Sequence, residues 1–365
     1  MKCIIAGGGT GGHLFPGIAI AEAFVEMEKG NEVLFVGTEK GIEMRILGEK
    51  GFRLKTIKAR PIKGRSIIEK VKTIWTLPLA ISEAVSILRD YRPEIVLGVG
   101  GYASGPVILA ALILGLKRAI HEQNVIPGMT NRLLKYFVQK VFISFEETKR
   151  YFPKRKTIFT GMPVRREIVY SLIGGSFNET MEDKKDRFNI FIFGGSAGAH
   201  RINEKVIESL TYLENIRSSI RFIHQTGIND YNWVSEVYTE KGFDAIVKPF
   251  FNDMASYYRI SDLIICRSGA SSLAELAICG KAAILIPYPY AANQHQLINA
   301  RQVVEMGAAM MIEDKKLNGE ILAKKIVYLF NHPEERERMG KAFRRMAKPH
   351  AAQEIIRHCY KMVGR

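Results

Sequence analysis

GGGTGGHLFP at residues 7–16 is the stretch of sequence that decides the fold. The apolar run before it, residues 2–6, predicts a buried strand, and residues 17–29 carry apolar side chains at helical spacing. Pro16 suits a first helical turn, where a missing N–H costs nothing. The glycines therefore form a strand-to-helix turn at the carboxyl edge of a first strand, where open α/β sheets bind ligands. His13 is delivered to the same edge.

The same glycines also match the G-x-G-x-x-G fingerprint of dinucleotide-binding proteins. That fingerprint needs an acidic residue at the end of the second strand, whereas residues 33–38 end in Gly37-Thr38 and Glu39 follows late. A dehydrogenase fingerprint also has no need of His13 or Pro16. The sequence therefore disfavours a nicotinamide-dependent enzyme.

The chain has 365 residues, 47% of them hydrophobic and 25% charged, which is enough for two domains with cores of their own. Its longest apolar run, residues 107–116, is far shorter than the roughly 20 residues of a membrane span. Met1 leads directly into the first strand, which predicts no signal peptide. The cysteines form no CxxC pair, which favours buried thiols in a reducing cytoplasm over a metal site. They are Cys3, Cys266, Cys279 and Cys359.

The charge balance is unusual, because 53 Lys and Arg residues against 37 Asp and Glu residues give a net charge of +16. Such a surplus predicts an anionic partner, either nucleic acid, anionic lipid or a phosphorylated substrate. Composition alone does not choose among them, and a basic surface that is merely solvated is the other explanation.

Strand and helix patterns alternate along the whole chain, which predicts an α/β protein with doubly wound parallel sheets. In the first half, a long helical stretch at residues 66–91 is interrupted by Pro78. The predicted strands there are residues 2–6, 32–36, 52–58, 94–99, 118–121, 141–145 and 157–160. In the second half they are residues 188–193, 221–225, 245–248, 263–266, 282–286 and 309–312.

The strand–glycine turn–helix order of the opening recurs at residues 188–199, after a polar connection at residues 174–187. Two halves that begin in the same way predict two Rossmann-like domains facing a cleft. We place the first at residues 1–163 and the second at residues 164–348. A C-terminal helix at residues 349–365 is expected to pack back on the first domain.

Two further stretches of the first half are expected at the same ligand-binding edge. GGYASGP at residues 100–106 is a second glycine turn, with Tyr102 and Ser104 in it. HEQN at residues 121–124 places His121, Glu122 and Asn124 at the end of a strand, although it could also be a polar loop that begins with a buried histidine. HEQN lacks the second His of a metalloprotease motif, so no zinc site is predicted.

Three stretches of the second half suit a nucleotide sugar. GGSAGA at residues 194–199 offers N–H groups at a helix start, which favours a phosphate. RSGASSLAE at residues 267–275 places Glu275 in a first helical turn, where it can bind ribose hydroxyls or simply complement the helix dipole, worth up to ~1 kcal/mol. Gln296 and Asn299 share a helix face from which amides can bind sugar hydroxyls, although a polar helix start would look the same.

These stretches, in this order and over essentially the whole chain, resemble the MurG family. Its members move N-acetylglucosamine from UDP onto lipid I in bacterial cell-wall synthesis. The motifs that carry the resemblance are GGGTGGHxxP, GGYxSGP, HEQN, GGSxGA, RSGAxSxAE and NQxxNA. It implies a GT-B fold, with an acceptor- and membrane-side first domain and a second domain that binds UDP-GlcNAc. It also implies an inverting hexosyltransferase that makes lipid II for peptidoglycan, and so serves cell shape and division, at the cytoplasmic face of the inner membrane.

The resemblance assigns substrate contacts residue by residue. Ser196 resembles the diphosphate contact, the backbone of Phe251 the uracil contact, Glu275 the ribose contact and Gln296 the sugar contact. Together with Tyr102 and Ser104, which we add from the second glycine turn itself, the full predicted substrate-binding set is Thr10, Gly11, Gly12, Tyr102, Ser104, Asn124, Arg165, Ser196, Phe251, Ala270, Ser271, Ser272, Leu273, Ala274, Glu275, Gln296 and Asn299. The chain departs from the family's usual residues at Met162, Ala197 and His295.

The implied reaction is attack of the muramyl C4 hydroxyl on the anomeric carbon of the donor. A base must take the hydroxyl proton, and His13 is the first choice because an unperturbed imidazole is mostly neutral at cellular pH. Glu122 and His121 are the rival bases. The helix start at residues 195–199 and Arg165 would stabilise the departing diphosphate. The sequence contains no Asp-x-Asp, so neither a metal nor another cofactor is expected.

A lipid-linked acceptor implies a membrane-surface enzyme, and residues 60–79 offer apolar side chains with a basic rim. These apolar residues could equally form a buried helix face. The apolar set is Ile67, Ile68, Val71, Ile74, Trp75, Leu77 and Leu79, and the basic set is Arg60, Lys63, Arg65, Lys70 and Lys72. The expected partners are UDP-GlcNAc, undecaprenyl-linked lipid I, an anionic membrane and other cell-wall synthesis proteins, but no nucleic acid.

Three alternatives stay open on the sequence. The first is another GT-B enzyme with a lipid acceptor, such as a diacylglycerol glycosyltransferase, which HEQN disfavours. The second is a UDP-N-acetylglucosamine 2-epimerase, which would convert the donor without an acceptor. The third is a non-catalytic module that binds a UDP-sugar, which would leave His13 without a role.

Overall fold

The structure is a computed structural model that describes residues 1–8, 11–38, 43–59, 67–173, 187–195 and 198–365. The side chains of Glu43, Arg45 and residues 67–75 are outside this description. The chain forms two compact units. Unit 1 comprises Met1–Arg166 and Lys348–Arg365, and unit 2 comprises Glu167–Ala347.

The strands lie where the alternating pattern predicts them. They are β1 (Lys2–Ala6), β2 (Glu32–Thr38), β3 (Arg53–Ile57), β4 (Ile95–Gly98), β5 (Lys117–Glu122), β6 (Lys140–Ile143), β7 (Thr157–Phe159), β8 (Phe188–Phe193), β9 (Ile220–Gln225), β10 (Asp244–Lys248), β11 (Leu263–Cys266), β12 (Ala282–Leu285) and β13 (Met310–Met311).

The α-helices alternate with the strands and then close the chain. They are α1 (Gly11–Met27), α2 (Glu43–Glu49), α3 (Ile67–Tyr91), α4 (Ser104–Ile113), α5 (Met129–Leu134), α6 (Arg166–Ile173), α7 (His200–Ser209), α8 (Tyr231–Glu240), α9 (Met254–Ile260), α10 (Ala270–Cys279), α11 (His295–Glu305), α12 (Gly319–Asn331), α13 (Pro333–Met346) and α14 (Ala351–Met362).

Each unit contains one parallel sheet. The strand order is β3-β2-β1-β4-β5-β6-β7 in unit 1 and β10-β9-β8-β11-β12-β13 in unit 2. The order reverses direction between β1 and β4, where Ala6 pairs with Gly98, and between β8 and β11, where Phe193 pairs with Cys266. Such switch points are where open α/β sheets bind ligands. The glycine turns after β1 and β4 lie at the switch point of unit 1, and the glycine turn after β8 lies at that of unit 2.

Both faces of the unit 1 sheet are buried, as a parallel sheet requires. Successive residues of β1 point to opposite faces, so Ile5 packs with α1 and α14, whereas Ile4 packs with α3 and α4. All six residues of β8 are buried in the same way in unit 2. The four cysteines are free and buried, as the sequence predicts.

The C-terminal helix α14 packs on α1 within unit 1. Ile355 and Ile356 of α14 lie in the hydrophobic core of unit 1. Asn31 connects the C-terminal end of α14 to α1. The Asn31 amide donates to the Phe24 carbonyl at 2.6 Å and lies 2.7 Å from the Tyr360 hydroxyl. A segment distant in sequence is thus part of the fold that carries the first glycine turn.

Helix α3 runs unbroken through Pro78, so the predicted interruption there is wrong. A proline inside a helix removes one hydrogen bond and costs about 3 kcal/mol. Packing of the helix offsets this cost, because Ala80, Ala84 and Leu88 are buried against the sheet. Among the described residues, none of the helices combines the length and the apolar character that a membrane crossing needs.

Candidate active site

The glycine turns after β1 and β4 touch through their backbones at the unit 1 switch point. Gly101 has φ +83°, and a Cβ there would lie 2.3 Å from the carbonyl oxygen of Gly8. The Val99 N–H donates to the Ala6 carbonyl at 2.8 Å just before the two turns begin. Only glycine allows this approach. The two turns therefore form one backbone surface at the edge of the sheet.

Ser104 holds this surface together from beneath. It is fully buried, and its hydroxyl lies 2.6 Å from the Ala6 carbonyl oxygen and 2.9 Å from that of Gly100. The Ser104 hydroxyl thus ties two backbone carbonyls together, and its contact with a substrate stays a prediction. Tyr102, in the same turn, is 44% exposed and stays available to a ligand.

His13 is the third residue of α1 and packs its ring edge against Gly100. A Cβ on Gly100, which has φ +90°, would lie 2.5 Å from His13 Cδ2 and 2.9 Å from His13 Nε2. The His13 side chain is half-buried, while Gly11 is half-buried and Gly12 exposed. Thr10 lies outside the described residues. The second glycine turn thus makes room for the imidazole that follows the first.

His121 is unsuited to the base role that the sequence left open to it. It is fully buried, its Nδ1 accepts from the Gln123 amide at 3.2 Å, and its Nε2 lies 3.1 Å from the Ser144 hydroxyl. Burial lowers the pKa of His121 to about 4, against the opposing effect of the Gly161 carbonyl. Both nitrogens of this neutral imidazole are thus hydrogen-bonded within the fold.

Glu122 is likewise occupied by its own loop. One carboxylate oxygen accepts from the Asn124 N–H at 3.0 Å, and the other from the Gly128 N–H at 3.1 Å and the Asn131 amide at 2.8 Å. Burial raises the pKa of Glu122, while these hydrogen bonds work in the opposite direction. Glu122 therefore orders residues 124–128 and presents the half-buried Asn124. Asn131, which completes this cluster, was not singled out from the sequence.

Arg165 lies over the ring of Phe15, with 5.0 Å between the guanidinium carbon and the ring centroid. Phe15 is two residues after His13 on α1, so the same helix carries the imidazole and the platform for the guanidinium. Phe15 was not predicted as a site residue, although its place inside the GGGTGGHLFP stretch was a usable signal.

In unit 2 the glycine turn after β8 packs on the loop after β9. A Cβ on Gly198 would lie 2.0 Å from the Thr226 carbonyl oxygen, and Gly198 has φ +79°. Gln225 bridges this turn to the next loop, because its amide donates to the Gly195 carbonyl at 3.0 Å and its oxygen accepts from the Phe251 N–H at 2.9 Å. Ser196 and Ala197 lie outside the described residues.

Phe251 is 2% exposed, and its ring packs on Tyr257 at 4.2 Å between centroids. Its backbone N–H is already bonded to Gln225. A backbone contact from Phe251 to a base would therefore use the carbonyl group or require Gln225 to move. Sequence reasoning did not find Gln225, whose role depends on the two neighbouring turns.

Glu275 is the sixth residue of α10, so it lies in the second helical turn rather than the first. The helix-dipole explanation for it is therefore wrong, since that effect fades beyond the first turn. Glu275 is 7% exposed, and its carboxylate accepts from the Tyr258 hydroxyl at 2.8 Å. In the preceding stretch Ala270 and Leu273 are buried, and Ser271, Ser272 and Ala274 are half-buried.

Gln296 and Asn299 both lie on α11 but differ in exposure. Gln296 is half-buried, and its oxygen accepts from the Tyr288 N–H at 2.9 Å. Asn299 is fully buried, which suits support rather than direct contact with a sugar. Asn293 and Gln294, just before α11, both have positive φ, 55° and 52°. Such strain in non-glycine residues clusters at functional sites.

Most of the residues that the sequence predicts at the membrane lie outside the part of the chain that the structure describes. Leu77 and Leu79 are described, and they are 38% and 49% exposed. Residues 60–66 are not described, and the side chains of residues 67–75 are not either. Those positions include Arg60, Lys63, Arg65, Ile67, Ile68, Lys70, Val71, Lys72, Ile74 and Trp75.

Comparison with known proteins identifies the family to which this chain belongs. The sequence models of the glycosyltransferase family 28 N-terminal and C-terminal domains match residues 3–143 and 189–355. A relative from Geotalea uraniireducens (strain Rf4) is 48% identical over 356 residues, which cover 98% of this chain and 97% of the relative. It is named UDP-N-acetylglucosamine–N-acetylmuramyl-(pentapeptide) pyrophosphoryl-undecaprenol N-acetylglucosamine transferase. The chain belongs to the MurG family.

The GT-B fold that the sequence predicts is confirmed. The crystal structure of Acinetobacter baumannii MurG matches with a TM-score of 0.78 at 28% identity over 99% of both chains. The UDP-GlcNAc 2-epimerase from Neisseria meningitidis bound to UDP-GlcNAc matches with a TM-score of 0.70, over 99% of this chain and 100% of that one. At 14% identity this second likeness concerns the fold alone.

Two departures from the usual MurG residues have visible packing. Met162 is buried, with its sulfur 3.4 Å from the Ser144 hydroxyl that also contacts His121. His295 is half-buried, and its Nδ1 lies 2.7 Å from the Ala292 carbonyl oxygen at the strained start of α11. Met162 thus contacts a hydrogen-bond partner of His121, and His295 directly precedes Gln296 on α11.

Proposed function

We propose that this chain transfers N-acetylglucosamine from UDP-GlcNAc to the C4 hydroxyl of the N-acetylmuramyl sugar of lipid I, giving lipid II for peptidoglycan. The full-length likeness to the transferase of Geotalea uraniireducens supports this reaction. The structural observation that supports it is that predicted site residues follow the glycine turns and strands at the switch points of the two sheets. His13 lies against Gly100 at one, and Glu275 follows the turn after β11 at the other.

In this proposal unit 1 supplies the base. His13 takes the proton of the C4 hydroxyl, the hydroxyl oxygen bonds to the anomeric carbon, and the bond from that carbon to UDP breaks, which inverts the configuration. His121 and Glu122 take no proton, because their hydrogen bonds and burial commit them to the fold. They hold the Asn124 loop, which we assign to the donor.

Unit 2 binds the nucleotide in this proposal. The carboxylate of Glu275 holds the ribose, and the N-terminal end of α7 faces the diphosphate. Arg165, steadied on Phe15, neutralises the charge that develops as UDP leaves. Gln296 binds a sugar hydroxyl, and buried Asn299 supports α11 around it. Tyr102 remains available to the acceptor.

Glu275→Gln is expected to weaken UDP binding about 10-fold or more, because hydrogen bonds to a charged group contribute ~1.5–3 kcal/mol. Isothermal titration calorimetry with UDP measures the effect. Tyr258→Phe is the matched control: it keeps the buried ring but removes the donor that orients Glu275, so only a smaller loss is expected. UDP binding by Glu275→Gln at the natural affinity would contradict the ribose assignment.

The experiment that tests the reaction is UDP release from UDP-GlcNAc with and without a soluble lipid I analogue. The proposal requires release that depends on the acceptor and a disaccharide product. Conversion of the donor into its C2 epimer without an acceptor would instead favour the epimerase. UDP-GlcNAc binding with no turnover under either condition would favour the binding module.

We also propose that the enzyme binds the cytoplasmic face of the membrane peripherally, since its acceptor is lipid-linked. The net charge of +16 supports attraction to anionic lipids, worth about 1 kcal/mol for each Lys or Arg near the surface. The exposed Leu77 and Leu79 on α3 offer apolar contacts, and in the sequence they follow the basic segment 60–72. Other cell-wall synthesis proteins would meet the enzyme there.

The double change Leu77→Glu with Leu79→Glu is expected to weaken vesicle binding about 10-fold, because it removes apolar contacts and adds repulsion from anionic lipid. Sedimentation with phosphatidylglycerol vesicles measures the effect, and vesicles of phosphatidylcholine alone should bind less. Met306→Glu, at an exposed apolar residue of unit 2, is the control. Equal binding by the natural protein, the double variant and Met306→Glu would exclude Leu77 and Leu79 from the membrane contact.

A further inference from the structure

Gln123, the third residue of the HEQN stretch, has a buried carboxamide with an unusual bonding pattern. It is 2% exposed. Its amide nitrogen donates to the Val99 carbonyl at 2.7 Å and lies 3.2 Å from His121 Nδ1. Because the Val99 carbonyl can only accept, it determines which end of the carboxamide carries the nitrogen. The carboxamide oxygen is therefore directed away from Val99.

That oxygen is buried and, among the described residues, lacks a hydrogen-bond donor. A buried acceptor without a donor is costly and calls for an explanation. It lies 3.5 Å from the point that a Cβ on Gly100 would occupy, and His13 Nε2 lies 2.9 Å from the same point. The unpaired oxygen of Gln123 and the ring edge of His13 thus meet at one glycine.

We propose that Gln123 is a positioning residue for His13, whose Nε2–H donates to the Gln123 oxygen in the reacting enzyme. This rests on the proposed role of His13 as base. The contact selects the tautomer that carries its hydrogen on Nε2, which leaves the Nδ1 lone pair to take the proton of the acceptor hydroxyl. The imidazolium that results keeps its Nε2–H on Gln123. Hydrogen bonds of catalytic groups commonly tighten only when substrate is bound.

The surroundings of His13 suit this arrangement. His121 on β5 accepts from the other end of the same carboxamide and is held neutral by burial, so it adds no positive charge beside the imidazolium. Glu122, the next residue of β5, is bonded to Asn124, Gly128 and Asn131. Gly100 has no side chain to separate His13 from Gln123.

Two variants of one residue test the proposal. Gln123→Met and Gln123→Glu both lose the amide donor to Val99, but only glutamate keeps an oxygen that can accept from His13. We expect Gln123→Met to lower kcat about 10-fold or more with little change in KM for UDP-GlcNAc. Gln123→Glu should recover most of that loss.

NMR of 13C-labelled histidine in the enzyme bound to UDP and the soluble lipid I analogue, a complex that cannot turn over, gives a readout that a merely structural role would not move. The His13 signal is assigned by its loss in His13→Ala. We expect its titration midpoint to fall in Gln123→Met and to rise in Gln123→Glu. If the glutamate variant does not fold, the methionine variant alone decides.

An unchanged His13 titration in Gln123→Met, with equal loss of kcat in both variants, would overturn the proposal and leave Gln123 as a tie between Val99 and His121. The proposed function fails differently. If His13→Ala keeps full transferase activity while the titration still shifts in the Gln123 variants, the contact stands and the base is another group.

Discussion

His13→Ala is expected to lower acceptor-dependent UDP release by about 10²- to 10³-fold, the size of a lost general base. The physical reason is its position, because the ring packs directly against Gly100 at the unit 1 switch point. The two rival groups are committed elsewhere, His121 by burial and Glu122 by its loop. Initial rates with a lipid I analogue measure the effect.

The control for His13→Ala is His332→Ala, a change of a partly exposed histidine on unit 2. It should turn over at the natural rate. UDP affinity, which we assign to unit 2, should be the same in both variants, so a folding defect can be told apart from a chemical one. Acceptor-dependent release that survives His13→Ala would keep the transferase but remove His13 as its base.

Gly100→Ala is expected to cost nearly as much activity as the loss of His13, although the substitution adds only a methyl group. That methyl would lie 2.5 Å from His13 Cδ2, far inside contact distance, so the imidazole must move out of place. A displacement of about 1 Å at a reacting group can cost 10²-fold in rate. Steady-state rates, with UDP binding as the check on folding, measure the effect.

Gly115→Ala is the matched control for Gly100→Ala. Gly115 also has positive φ, +67°, so alanine there brings backbone strain of about 1–2 kcal/mol. Among the described residues, however, a Cβ at Gly115 meets no heavy atom within 4 Å. It should lower the melting temperature but leave turnover intact. Equal activity in the two alanine variants would show that the imidazole tolerates the methyl group, against the geometry described above.

Local patterns were enough to place the strands, because a fully buried parallel strand is a short apolar run in any context. The same reasoning misjudged Pro78, where packing of α3 offsets a local penalty. It also misjudged Glu275, because a helix start can be displaced by a few residues without changing the pattern. Ser104 fits the motif, yet its hydroxyl faces two backbone carbonyls.

The sequence by itself determined the two Rossmann-like halves, the glycine turns and the set of stretches that resemble the MurG family, since periodicity, turn chemistry and motif order are local properties. Only the tertiary structure decided which polar residues are available. His121 and Glu122 are buried and hydrogen-bonded within the fold, His13 packs against Gly100, and the Gln123 oxygen has no donor among the described residues. Hydrogen-bond partners and burial depend on residues far apart in sequence, which a local pattern does not record.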